Sequence, residues 1–238
     1  MRLDPINGTV EPEQTICTAA RGDYLDGYVG DMTFEEIMEP IDGRSIEEKK
    51  RNLIWQLLDR GHFGPFEHVS MTIAFEDMSR SCMAQITRHR QVTFDIQSMR
   101  YVDFSGKAAE QVVVPKSFKD EDHFSREDGV LEVEPETQEE FEQRYLDLAQ
   151  QQFEFYQDAV AAGFPKEDVR FALPIGTAVN GTMTMNARTM LHILNMRGKA
   201  DAQWEARQLS NMIEDIGLHW CPNTFEWWQE KGPMKLSP

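Results

Sequence analysis

The chain has 238 residues, 40% of them hydrophobic, which is enough for a packed globular core. Forty-one acids against twenty-four lysines and arginines leave a formal net charge of -17, which disfavours duplex nucleic acid as a partner, because neutralising phosphates needs a basic face. The first twenty residues contain acids and no long apolar run, and no stretch of eighteen apolar residues occurs anywhere, so neither a signal peptide nor a membrane span is expected and the cytoplasm is the expected compartment.

Ser45-x-x-Glu48 has the form of a capping box. It predicts a helix of about fourteen residues with Ile46, Leu53, Ile54, Leu57 and Leu58 apolar and Gly61 as its stop. His62 and His68 then flank a rigid turn, and Val69, Met71, Ile73 and Phe75 alternate as a half-buried strand does. Ser79 is read as the N-cap of a short helix to about Arg88, which puts Gln85 and Arg88 on one face. Residues 91–104 read as loop or extended chain, Glu110 to Lys116 as a short valine-rich strand, and 119–136 as an acidic surface excursion. Thr137-x-x-Glu140 is expected to open the longest helix, running to about Ala162 with Phe141, Tyr145, Leu148, Tyr156 and Val160 on one stripe. Pro165 restarts a helix that Pro174 ends. Asn186 caps another that closes near Gly198, and Asp201 is expected to cap a last one carrying Trp204, Leu209, Ile213 and Ile216. Helices outnumber strands and no repeat appears, so the expected class is α+β, as one domain over residues 1–238.

The cations are sorted unevenly. Residues 78–102 carry Arg80, Arg88, Arg90 and Arg100 against Asp95 alone, and residues 169–200 carry Arg170, Arg188, Arg197 and Lys199 against no acid. Two cationic windows in an acidic chain point to a concave anion site, and arginine pairs suit phosphate. Arg188 and His192 share a helical face; Arg197 beside Gly198 either satisfies the last carbonyls of its own helix or stabilises charge developing on a ring carbonyl. Ser98 fits a phosphate-contacting hydroxyl better than a nucleophile. Cys17, Cys82 and Cys221 are odd in number, far apart and in no C-x-x-C pair, so reduced, partly buried thiols are expected, with neither disulfides nor a zinc site. The acid excess matches a cytosol of molar salt, which screens carboxylate repulsion, and a halophilic source is expected.

Arg88-His89-Arg90, seven residues, Ser98 and then Arg100-Tyr101 occur together with Ala19-Ala20-Arg21, Gly61-His62, Pro65-Phe66-Glu67-His68, Gln85, Arg170 before Leu173-Pro174, Asn186-Ala187-Arg188, Leu194-Asn195-Met196-Arg197 and Gln203-Trp204-Glu205. In this order, over about residues 17 to 228, they resemble the flavin-dependent thymidylate synthases. The resemblance implies methylation of dUMP to dTMP with methylenetetrahydrofolate and NADPH as co-substrates, FAD as cofactor, and a homotetramer with active sites at subunit interfaces. It implies that Arg88, His89, Arg90, Asn186, Arg188 and His192 bind FAD, His192 standing where the family often has Asn. Gln85, Arg88, Ser98, Arg100 and Arg170 would hold dUMP, helped by amides of the loop 96 to 100. Arg197 would stabilise the ionised uracil ring, so that no cysteine nucleophile is needed. Gly64, Ile96 and Asp201 depart from the family pattern at flavin-contacting positions. The rival reading is a regulatory module that binds nucleotide or flavin without chemistry.

Overall fold

The structure is a computed structural model, and it describes all residues except 103, 105–107, 120–124, 127–128, 131–133 and 234–238. The chain begins with β1 (Arg2–Gly8), α1 (Pro12–Gly22), α2 (Phe34–Met38) and α3 (Ile46–Asp59), followed by a 3-10 turn at Gly64–Glu67. Next come β2 (Ser70–Ser79), α4 (Arg80–Ile86), β3 (Thr93–Ile96), α5 (Ala108–Gln111), and a short hairpin of β4 (Ser125–Arg126) and β5 (Gly129–Val130). The remainder is α6 (Pro135–Ala161), α7 (Lys166–Val169), β6 (Ala178–Asn186), α8 (Ala187–Arg197), α9 (Trp204–Trp220) and α10 (Pro222–Lys231). This is the expected α+β class: helices around a four-stranded antiparallel sheet of order β1-β2-β6-β3.

The sheet positions everything else. On β2, Met71, Ile73 and Phe75 point into the core, as their alternation requires, and on β6 Val179, Met183 and Met185 do the same. β6 went unread in the sequence because Gly181 and two methionines are weak strand formers. Gly181 is needed there: a Cβ would overlap the Asp95 carbonyl oxygen of β3 and the Phe75 ring of β2. Thr72 and Thr184 are register partners on these strands, and their hydroxyls bond at 2.9 Å. Pro5 is tolerated because β1 is an edge strand.

Several expected boundaries shift. Ser45 does cap α3, accepting from the Glu48 amide at 3.2 Å, but the Glu48 carboxylate accepts from the Arg44 amide, one residue earlier than a capping box requires. α4 ends at Ile86, so Arg88 lies beyond the helix and does not share its face with Gln85. The stretch around Val112 is not a strand; Val112 makes one isolated bridge to Thr177 after α5. α6 starts at Pro135, and Ala149, Phe153 and Tyr156 are buried while Phe141 and Leu148 are 46% and 57% exposed. The apolar residues cover an arc of the helix wider than its contact with the core, and Phe141 and Leu148 sit on the edge rotated roughly 100° outward. Asp201 does not cap α9; the Gln203 side chain does, accepting from the Ala206 amide at 2.8 Å. Most of the acidic stretch 119–136 lies outside the described residues. Among those residues no helix is long and apolar enough to cross a membrane.

Candidate active site

Two helices spring directly from opposite ends of the β2-β6 ladder. Ser79 ends β2 and caps α4, its hydroxyl accepting from the Cys82 amide at 2.9 Å. At the other end, where Ser70 pairs with Asn186, Asn186 ends β6 and caps α8, accepting from the Thr189 amide at 2.8 Å. The seven and eleven residues of these helices span about 10 and 16 Å, and the ladder is about 26–30 Å long. Folded back along the ladder from its two ends, the helices bring their C-termini together.

That meeting point is Arg197. Its Nη2 donates to the Gln85 backbone oxygen at 2.8 Å, Nη1 to Gln85 Oε1 at 3.3 Å, and Nε to His89 Nε2 at 3.1 Å. The Gln85 carbonyl is one of the orphan carbonyls at the end of α4, so Arg197 closes α4 rather than its own helix, whose end is closed by Gly198 N bonding Leu194 O at 2.9 Å. All three acceptors are neutral. Burial and the nearby Arg88 lower the Arg197 pKa, yet a guanidinium remains a cation at any working pH.

His89 is buried, and the His192 ring meets it edge-on with centroids 5.3 Å apart at 75°. Burial first, then Arg197, His192 and Arg88, lower its pKa to about 4, so it is neutral near pH 7. The pKa of His192 is also lowered, by burial and then by Arg197 and Arg188. Arg88 and Arg90 are exposed, with no hydrogen bond or ion pair to the described residues.

The turn after α3 supplies a second wall. Glu67 forms an ion pair with Arg188, whose guanidinium also lies 5.7 Å from the centre of the Phe63 ring. Phe63, Glu67, Gln91, Asn186, Arg188 and His192 line a cleft of about 260 Å³. At Gly64 a Cβ would meet nothing within 4 Å, so the space beside this turn is open. A third group lies apart. Arg100 pairs with Glu167 at 2.8 Å, Arg170 Nε donates to the Glu167 carbonyl at 3.0 Å, and Ser98 Oγ accepts from the Arg100 amide at 3.3 Å. Two amides of the loop 96 to 100 are thus already engaged, because Gln97 N also donates to Asn180 O at 2.8 Å. No described contact joins this group to Arg197.

The structure therefore brings Gln85, His89, His192 and Arg197 together, sets Asn186 and Arg188 beside them on α8, and keeps Ser98, Arg100 and Arg170 as a separate cationic surface. Sequence reasoning missed Glu205. This acid is 2% exposed and accepts from both the amide (2.7 Å) and the hydroxyl of Ser79, tying the first turn of α9 to the cap of α4. Its only signal was its place beside Gln203 and Trp204. Cys17, Cys82 and Cys221 are fully buried rather than partly so, and burial pushes each thiol pKa up, that of Cys17 to about 12. Buried thiols with raised pKa values are poor nucleophiles.

The fold is shared with a solved structure: the crystal structure of a UMP/dUMP methylase PolB from Streptomyces cacaoi bound with 5-Br dUMP superposes with a TM-score of 0.77 at 21% identity, covering 98% of this chain and 96% of that one. The family described as Thymidylate synthase complementing protein matches residues 6–223. Flavin-dependent thymidylate synthases from Haloarcula marismortui and Halobacterium salinarum are 48% and 45% identical to it, covering 97% and 96% of the chain and 96% and 95% of their own lengths. The chain belongs to the flavin-dependent thymidylate synthases. These halophilic relatives fit the acidic composition.

Proposed function

We propose that residues 1–238 form one catalytic domain that methylates dUMP to dTMP, taking the one-carbon unit from methylenetetrahydrofolate and reducing equivalents from NADPH through bound FAD. The observation that carries this reading is Arg197, a half-buried guanidinium whose described partners are all neutral. A cation so placed stabilises negative charge developing on uracil carbonyls, so C5 becomes nucleophilic without a covalent enzyme adduct. That agrees with three buried, unreactive cysteines.

The residues of the cleft fit part of a flavin nucleotide. Phe63 offers an aromatic surface, Arg188 a cation beside it, and Asn186 and His192 polar groups. Bound FAD supplies the two-electron chemistry that turns a transferred methylene into a methyl group. At about 260 Å³ the cleft is smaller than the roughly 300–1,000 Å³ usual for a ligand site. A site walled partly by another copy of the chain accounts for this, as does the separation of Ser98, Arg100 and Arg170 from Arg197, and we place the active site at the interfaces of a homotetramer. Arg88 and Arg90, exposed and without a partner among the described residues, are available to FAD, and Arg88 also to dUMP; Gln85, Ser98, Arg100 and Arg170 bind dUMP in this reading. The enzyme is placed in the cytoplasm. Purified protein is expected to show flavin absorption and, with NADPH and methylenetetrahydrofolate, to release tritium from dUMP labelled at C5. Protein that binds no flavin after reconstitution in high salt refutes the assignment.

A further inference from the structure

His89 is the buried member of an Arg-His-Arg run whose two arginines are exposed. Its Nε2 faces Arg197 Nε at 3.1 Å. A guanidinium has no lone pair to offer, so the ring nitrogen is the acceptor and the ring proton sits on Nδ1. The surroundings hold this state: Arg197 and His192 from α8 and Arg88 from the preceding turn all oppose an imidazolium, and so does burial. His192, edge-on, fixes the plane of the ring.

A carboxylate in place of His89 would orient the guanidinium equally well, but it would offset the positive charge that must act on the uracil. A cation there would expel Arg197. A neutral imidazole accepts the hydrogen bond and leaves the charge undiminished. With Nε given to His89 and one hydrogen on each terminal nitrogen given to Gln85, two of the five donors have no partner among the described residues, one on each terminal nitrogen.

We propose that His89 is a positioning residue for Arg197, accepting from its Nε–H through Nε2 so that the guanidinium keeps one plane and presents its remaining donors to the uracil carbonyls at full charge. This rests on the role of Arg197 given above. It adds to the flavin contact that the resemblance implies for this histidine, because Nδ1–H stays available.

Two substitutions separate the ring nitrogens. The amide oxygen of His89→Gln reaches the Nε2 position, whereas that of His89→Asn reaches only the Nδ1 position. His89→Gln lacks the Nδ1–H and is expected to bind FAD more weakly, but with FAD in excess its turnover per bound flavin should stay within about tenfold of wild type. His89→Asn is expected to lose about 100-fold in kcat, the scale of one lost electrostatic contact, with KM for dUMP little changed and flavin content retained. Independently of activity, the Nε–H resonance of Arg197 in 15N-arginine-labelled, flavin-free protein should be slow to exchange with water in wild type and His89→Gln and fast in His89→Asn. Circular dichroism and thermal melts identify a variant that has not folded; if His89→Asn fails to fold, an Arg197 Nε–H that exchanges as fast in folded His89→Gln as in free arginine overturns the proposal. Equal behaviour of the two variants, or a rate loss that follows flavin content, also overturns it. If wild type shows the protected Nε–H but no dUMP-dependent tritium release, the proposed function fails while the His89–Arg197 contact stands.

Discussion

Replacing Ser79 with alanine should loosen the joint that sets α4. The Ser79 hydroxyl makes two bonds at once, accepting from the Cys82 amide and donating to the Glu205 carboxylate, and both side chains are 2% exposed. Loss of the N-cap costs about 1 kcal/mol. Among the described residues Glu205 then keeps only the Ser79 amide, and a lost hydrogen bond to a buried carboxylate costs about 2 kcal/mol. Together these give about 3 kcal/mol, and in a domain of this size each kcal/mol lowers Tm by about 2–4 °C, so Ser79→Ala should melt about 6–12 °C below wild type at fixed salt. Because α4 carries Gln85, which holds Arg197, kcat should fall as well. A double-mutant cycle with Glu205→Gln by calorimetry isolates the pair, with an expected coupling of about 1–2 kcal/mol. A Tm change below about 2 °C, or additive single effects, would refute this account of how α4 is anchored.

Arg197→Lys retains the charge but loses the Nε contact to His89 and the paired contact to Gln85, so kcat measured by tritium release should fall about 100-fold with dUMP binding at least partly retained; unchanged turnover would refute the activating role of Arg197. Glu167→Gln removes the carboxylate that occupies Arg100, and because both side chains are about half exposed, dUMP affinity measured by calorimetry should rise by no more than about fivefold. Weaker binding would show that Glu167 helps to hold the nucleotide. His89 has a folded pKa of about 4 against the ordinary 6.5, so between those values the unfolded chain takes up a proton that the native protein refuses, and stability rises with pH across that window. The bound is about 3 kcal/mol, and because burial is the largest cause and salt screens only the share from Arg197, His192 and Arg88, roughly 2–3 kcal/mol of it remains. Denaturant titrations at pH 4 and 7 should therefore show wild type losing that much more than His89→Gln on acidification, and parallel losses would contradict the burial of a neutral histidine.

Sequence alone determined the features that depend on neighbours three or four residues apart. Ser45, Ser79 and Asn186 are caps because their side-chain oxygens reach amides within their own first turns, and the structure shows each bond. Composition fixed the acidic surface, and the ordered motifs pointed to the family through residue identity rather than through any visible geometry. Where local pattern had to stand in for packing it went astray: Phe141 and Leu148 match a helical stripe but face solvent, and β6 hid behind Gly181, which is explained only by the β3 and β2 atoms pressed against it. Arg197 shows the division most clearly. Its place before Gly198 suggested a cation serving the end of its own helix, and no local rule could say otherwise. Only the tertiary structure, by folding α4 and α8 back from opposite ends of one antiparallel ladder, put Arg197 against Gln85, 112 positions away in sequence, and against a neutral histidine. A cation whose described partners are all neutral is a property of everything around it, and that set of neighbours is assembled only when the chain folds.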